Sequence, residues 1–266
     1  MMVALRQPTS ASLLLLLLAG CRYFDAGVDG ALAPPADGAP SPGSDAGVGD
    51  GPPDLPRPPA PPPLSESPDG FQGAPSTVGC ADGTREGFVD PAAWKHIAGC
   101  SGAWSVPGVR GPDVAQPRCA RAAGNTGTAA SGMGCSVADL CADGWHVCRD
   151  GEDVRRNSPT ECESAIQPAH AAFFITQAGA SSYGLCAADP ALQNDLHGCG
   201  NFGQPELGGC QPLNRRLSFV DCLASRVQGG GPPVWSCGDA SQHLSEASLV
   251  TKTTSALGGV LCCRDP

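Results

Sequence analysis

Apolar residues are spread very unevenly along this chain. Ala11 to Ala19 form a short apolar run, interrupted only by Ser12, that ends at Gly20-Cys21. A membrane-spanning helix needs ~20 apolar residues, so this run is too short to span. From about Arg22 to Thr77 large apolar side chains almost vanish, leaving mainly Ala, Gly, Pro and Asp. Structure-forming patterns begin near Cys80. "RLSFVDC" from Arg216 alternates Leu217, Phe219 and Asp221 against Ser218, Val220 and Cys222, which predicts a strand. "GVLCC" from Gly259 predicts another. Alternation there sends Cys262 and Cys263 to opposite faces, toward two different partners. Ser158-Pro159-Thr160-Glu161 has the form of a capping box with proline at the first helical position. It predicts a short helix through about Gln167, with Cys162 and Ile166 on one face. Ser136 to Asp139 is a weaker box ahead of Leu140 and Cys141.

Composition explains the empty stretch. The chain has 266 residues, of which 36 are glycine and 27 proline, close to the low-complexity range. Proline concentrates in the tether, where "PRPPAPPP" from Pro56 favours extended polyproline II. Too few apolar groups are present to offset the entropy of ordering, so residues 21–79 read as a solvated linker. A flexible chain of that length spans about 40 Å, and proline lengthens it. "DAGVDG" at Asp25 recurs loosely as "DAGVGDG" at Asp45. These repeats lack the closing glutamate of a calcium loop.

The front end reads as an export signal over residues 1–20. Arg6 and the terminal amine give a positive start, followed by the apolar run and small residues. Net charge is −10, and the tether carries eight acids against two arginines. The remainder is mildly acidic and shows no basic stripe, so nucleic acid is excluded as a partner.

Cysteine count sets the fold class. Of 15 cysteines, 14 lie in residues 80–266: Cys80, Cys100, Cys119, Cys135, Cys141, Cys148, Cys162, Cys186, Cys199, Cys210, Cys222, Cys237, Cys262 and Cys263. An even number in an exported chain predicts a disulfide framework. Each bond contributes ~2–4 kcal/mol, which compensates for a thin core in a chain with only 5% aromatic residues. Zinc sites favour close Cys-x₂₋₄-Cys pairs, and Cys135, Cys141 and Cys148 are spaced more widely. No metal and no cofactor is expected. The expectation is a small, disulfide-rich α+β domain with its core in 135–266. Residues 80–134 read either as an added lobe or as an N-terminal extension of that core.

Leu18-Ala19-Gly20-Cys21 resembles the lipobox of bacterial lipoproteins. The resemblance implies that Cys21 is lipidated and becomes the mature N-terminus. Two or three acyl chains suffice for stable anchoring. Arg22 follows the cysteine rather than aspartate, which by analogy with enteric bacteria implies the outer membrane or cell surface. Cys21 is then the odd cysteine, and the membrane is its partner.

"CADGWHVCRDGE" from Cys141 resembles a stretch of the Fibrobacter-type major paralogous domain. Cys141, Gly144, Trp145, His146, Val147, Asp150 and Glu152 match that pattern. Trp235-Ser236 and "GGVLCCRD", with Val260, Cys262 and Asp265, resemble the family's closing segment. Cys148, Asp153 and Cys263 depart from the pattern, replacing a proline, a tryptophan and a valine. That family is related to the sulfatase-modifying-factor group, so the resemblance implies a C-type-lectin-like fold. It also implies that Cys141 pairs with Cys262.

Candidate chemistry is sparse. Trp145-His146 reads either as a sugar-stacking platform with a polar neighbour or as a core tryptophan beside an outward histidine. Trp235 raises the same choice. "QNDLHGCGNFG" from Gln193 gathers Asn194, Asp195, His197 and Asn201, and Gln204-Pro205-Glu206 follows. These residues suit turns as well as a binding site. No Gly-x-Ser-x-Gly elbow, His-Glu-x-x-His or P-loop occurs. The expected function is non-catalytic ligand binding or adhesion at the cell envelope, with a glycan or an envelope protein as partner. Two alternatives stay open: an extracytoplasmic hydrolase or oxidoreductase assembled from distant residues, and a purely structural envelope component.

Overall fold

The computed structural model describes residues 76–166, 170–181, 184–226 and 230–266. The export signal, Cys21 and the tether lie outside the described residues. The strands are β1 (Ile97–Ser101), β2 (Trp145–Val147), β3 (Phe173–Ile175), β4 (Gly179–Ala180), β5 (Cys186–Ala187) and β6 (Leu196–Gly200). They continue with β7 (Gln204–Pro205), β8 (Arg215–Leu217), β9 (Trp235–Ser236), β10 (Thr251–Lys252) and β11 (Gly258–Arg264). Short helices α1 (Pro112–Ala115), α2 (Gly151–Asn157), α3 (Phe219–Ala224) and α4 (Glu246–Leu249) lie between them. The fold is α+β and rich in sheet.

A mixed seven-stranded sheet runs β1-β11-β3-β6-β8-β7, with β2 also paired to β11. One edge of β11 carries β1 over its whole length. Along the other edge, β3 pairs in parallel with residues 258–260, and β2 pairs antiparallel with residues 262–264. The chain thus pairs an early strand, at one end of the strand order, with its last strand. β1 belongs to this sheet, and the described residues form one compact unit.

Both faces of the sheet are covered. Strand alternation sorts its side chains between two cores. Ala98, Cys100, Phe173, Ile175, Val260 and Cys262 enter one core, together with Trp104, Trp145 and Trp235. Ile97, Phe174, Leu261 and Cys263 enter the other, with Phe88, Val154 and Leu213. Burial on both sides explains why β1 and β6 are buried at every position. Close approach demands glycine at one crossing, where Gly87 and Gly99 bridge. A Cβ on Gly99 would sit 2.7 Å from the Gly87 Cα.

Seven disulfides bind this framework: Cys80–Cys100, Cys119–Cys135, Cys141–Cys262, Cys148–Cys263, Cys162–Cys199, Cys186–Cys210 and Cys222–Cys237. Such a density of disulfides belongs to an oxidising, extracytoplasmic compartment. No helix among the described residues is long and apolar enough to cross a membrane.

Two local expectations need correction. Residues 158–166 form turns, not a helix. Ser158 instead ends α2, where its N–H bonds the Val154 carbonyl. Glu161 then adopts a positive φ of 49°, which a helix cannot contain. "RLSFVDC" is a strand only as far as Leu217. Ser218 accepts from the Asp221 N–H and starts α3 through a capping box. The alternation there hid a serine-to-acid cap three residues apart. The weaker box at Ser136 and Asp139 does begin a 3₁₀ turn, Val137–Leu140.

Candidate functional site

The two tryptophans singled out in the sequence are core residues. Trp145 is 1% exposed and Trp235 0%. Their indole N–H groups donate to the carbonyls of Ser76 and Leu257. Trp235 meets Trp104 and Phe173 edge-on, each at 5.6 Å between centroids. A sugar cannot stack on a ring with no free face, so neither residue is a stacking platform.

His146 is on the opposite side of β2 from Trp145, as strand alternation requires. Asp150 caps α2 by accepting from the N–H groups of Glu152 and Asp153. The helix thereby turns Asp153 back toward the strand. The Asp153 carboxylate is 2.9 Å from His146 Nε2 and also accepts from the Arg149 N–H. On the other side of the ring, Asp265 Oδ1 lies 2.6 Å from Nδ1. Carboxylates at both ring nitrogens require both to donate, which is the imidazolium form. Hydrogen bonding to Asp153, and then to Asp265, raises the His146 pKa against the opposing effect of burial. For Asp153, burial pushes the carboxyl up, but bonds from His146, the Arg149 N–H and Arg156 outweigh it. Its pKa falls to about 2.

This arrangement forms part of the wall of a cavity of about 660 Å³, with Arg149, Arg156, His96 and Arg264 around it. Arg156 pairs with Asp153 at 3.3 Å. The side chains of Arg149 and Arg264 make no hydrogen bond or ion pair among the described residues. Three arginines and a protonated His146 face two aspartates, so the cavity is locally cationic on a chain of net charge −10.

Asp195 and His197 come together elsewhere, at a pocket of about 280 Å³ that Glu206 and Arg216 also line. The β6–β8 register sets His197 opposite Arg216, and Gln204 of β7 also pairs with Arg216. Glu206 follows β7 and lies 2.9 Å from His197 Nδ1. Arg216 donates to Asp195 at 3.0 Å. Asp195 has a positive φ of 52°, and Glu246 accepts its backbone N–H. Glu246 also accepts from the Phe219 N–H, so one buried carboxylate ties this turn to the start of α3. Burial lowers the His197 pKa, with Glu206 opposing, and raises that of Asp195, with Arg216 opposing. Among the described residues, His197 Nε2 has no hydrogen-bond partner.

Sequence reasoning pointed to His146, Asp195, His197 and Glu206. It missed Asp153 as a partner of His146, and it missed Arg149, Arg264, Arg216 and Glu246. Asp153 sits seven residues beyond His146, across a cap and a helical turn, where no simple periodicity connects them. Arg264 carried a signal, since it continues the β11 pattern next to Asp265. No protein-family model matches the chain, and no solved structure matches it.

Proposed function

We propose that this domain is a non-catalytic ligand-binding module of the bacterial envelope, with acidic glycans as its ligand class. The observation that carries the reading is the cationic cavity at His146. A hydrogen-bonded imidazolium is fixed in its wall, and the guanidinium groups of Arg149 and Arg264, unpaired among the described residues, stand around it. At about 660 Å³ the cavity is of small-ligand size. Planar guanidinium groups suit bidentate recognition of carboxylate or sulfate.

Anchoring belongs to the same proposal. Lipidation of Cys21 would hold the chain at the outer membrane or cell surface, with the tether carrying the domain outward. The C-type-lectin-like fold implied by the resemblance is part of it too. Pairing of β1 with β11, and of Cys141 with Cys262, supports that reading.

Catalysis has weaker support. His197 and Glu206 have the form of a base and its orienting carboxylate. However, His197 is 3% exposed, and its Nε2 has no hydrogen-bond partner among the described residues.

The test is an array of neutral, uronate-bearing and sulfated oligosaccharides probed with the full chain. Acidic members should be retained, and the Arg149→Ala/Arg264→Ala double variant should lose them while keeping its thermal stability. Equal retention of neutral and acidic members would refute the proposal.

A further inference from the structure

Another cavity, of about 530 Å³, lies at the opposite end of β11 from His146. Three strand ends meet there. Ser101 closes β1 opposite Gly259, and Gly258 opens β11 beside Phe173 of β3. The Gly87–Gly99 crossing draws the turn before β1 onto this end, where the Glu86 N–H donates to the Gly99 carbonyl. Glu86 and Asn125 line the cavity on its polar side. Val89, Ile166, Ala171, Ala172 and Leu257 give it an apolar side. The buried ammonium of Lys252 donates to the carbonyls of Thr254 and Ala256, which fixes the turn ahead of Leu257.

Glu86 is the unusual group in this wall. Its half-buried carboxylate accepts from the Ser101 N–H at 2.8 Å, from Asn125 at 2.6 Å and from the Thr84 hydroxyl at 3.2 Å. All three donors are neutral. The acids of the two cavities described above, Asp153, Asp265, Asp195 and Glu206, each have an arginine or histidine nitrogen at 2.6–3.0 Å. Among the described residues Glu86 has no such partner. Arg85 and Lys252, the cations around it, are spent on the backbone. Arg85 donates to the carbonyls of Thr77, Val78, Phe88, Trp94 and Ile97. Burial raises the Glu86 pKa, with the Ser101 bond opposing and the charge of Asp82 adding. A carboxylate offers about four acceptor positions, so three donors leave one open.

We propose that this cavity binds a small aliphatic primary amine in its ammonium form. The ammonium supplies the cation that Glu86 lacks and a donor for its open position. A charge-assisted bond of that kind is about twice as strong as a neutral one. It also offsets the cost of a carboxylate buried without a counter-charge. The aliphatic body of the ligand covers Val89, Ile166 and Leu257. No phenyl or indole ring lines the cavity, so its walls suit an alkyl body rather than a stacked ring. The volume is of small-ligand size. The charge sense is opposite to that of the cavity at His146, and the proposal stands apart from the acidic-glycan reading.

The test is an NMR titration of the full chain with n-hexylammonium, 1-hexanol and hexanoate, followed at the backbone amides of Ser101, Asn125 and Ala172. The expected result is saturable binding of one hexylammonium per chain, about 10-fold or more tighter than hexanol, with hexanoate not bound. Glu86→Gln should bring the amine down to the level of the alcohol. Ala171→Phe fills the cavity and keeps Glu86, so it should remove binding of both. Arg149→Ala/Arg264→Ala should leave amine binding unchanged. The absence of saturable hexylammonium binding overturns the proposal, as does equal affinity for the alcohol or the carboxylate. So does a preference for the amine that survives in folded Glu86→Gln, or its loss in the double arginine variant. Binding that persists in Ala171→Phe overturns it whether or not Glu86→Gln folds.

Discussion

Cys262 and Cys263 are neighbours on β11, yet they leave opposite faces of the sheet and bond Cys141 and Cys148. Each bond closes one of the two cores around the central strand. Cys262 belongs to the tryptophan core and Cys263 to the phenylalanine core. The sequence separations are 121 and 115, so the two bonds constrain the unfolded chain over most of the domain.

That geometry gives a stability prediction. Loop-closure entropy assigns a bond of this span up to about 5 kcal/mol, against about 3 for a 15-residue loop. Replacing both long-range bonds together, Cys141, Cys148, Cys262 and Cys263 by serine, should lower the urea midpoint more than replacing Cys222 and Cys237, whose separation is 15, because either long-range bond alone still holds the same large loop closed. An equal or smaller effect at the long-range pair would count against this ranking.

The buried tryptophans define a second outcome. Trp235→Ala should cost about 3–5 kcal/mol, because it empties a volume bordered by Trp104 and Phe173. Any loss of ligand retention should then track the unfolded fraction. Loss of binding in a variant with unchanged denaturation midpoint would contradict the placement of Trp235 in the core.

The two site histidines should show opposite pH behaviour. His146 has a raised pKa, so its stabilisation is complete below the unfolded value near 6.5. It fades as pH rises through the folded value. Asp153, at about 2, stabilises above the unfolded value of 3.8, and that contribution fades as pH falls toward 2. His197 has a lowered pKa, so its contribution is present above about 6.5 and lost as pH falls below it. Proton NMR titration of the imidazoles should place the His146 midpoint above that of His197. The reverse order would contradict both environments.

Backbone crowding sets another test. Gly99→Ala would push a methyl group into Gly87 at the crossing beneath Phe174. Neither side is a flexible side chain that can move away cheaply. The variant should be destabilised by about 1–3 kcal/mol as an overpacked core, read as a lower thermal midpoint.

Some of this structure was legible in the sequence. An even cysteine count from Cys80 onward announced a disulfide-rich domain, and the "GVLCC" alternation foretold that Cys262 and Cys263 part. The pair Cys141–Cys262 was named through a resemblance, because spacing alone leaves the connectivity open. The site was less legible. His146 and His197 stood out as residues, but their carboxylate partners arrive by strand register and by a capped helical turn. Sequence distance does not report either. The turns at residues 158–166 show the same limit, since a good local cap was overridden by Glu161 and by the bond from Cys162 to Cys199.

The most direct measurement is a calorimetric titration of the full chain with a trigalacturonate, repeated with the neutral trigalactoside and at raised salt. The account predicts saturable binding of the acidic sugar alone. That binding should weaken with salt and be lost in Arg149→Ala/Arg264→Ala, while Asp195→Asn leaves it unchanged. Binding of the neutral sugar with equal affinity, or acidic-sugar binding that survives removal of both arginines, would contradict it.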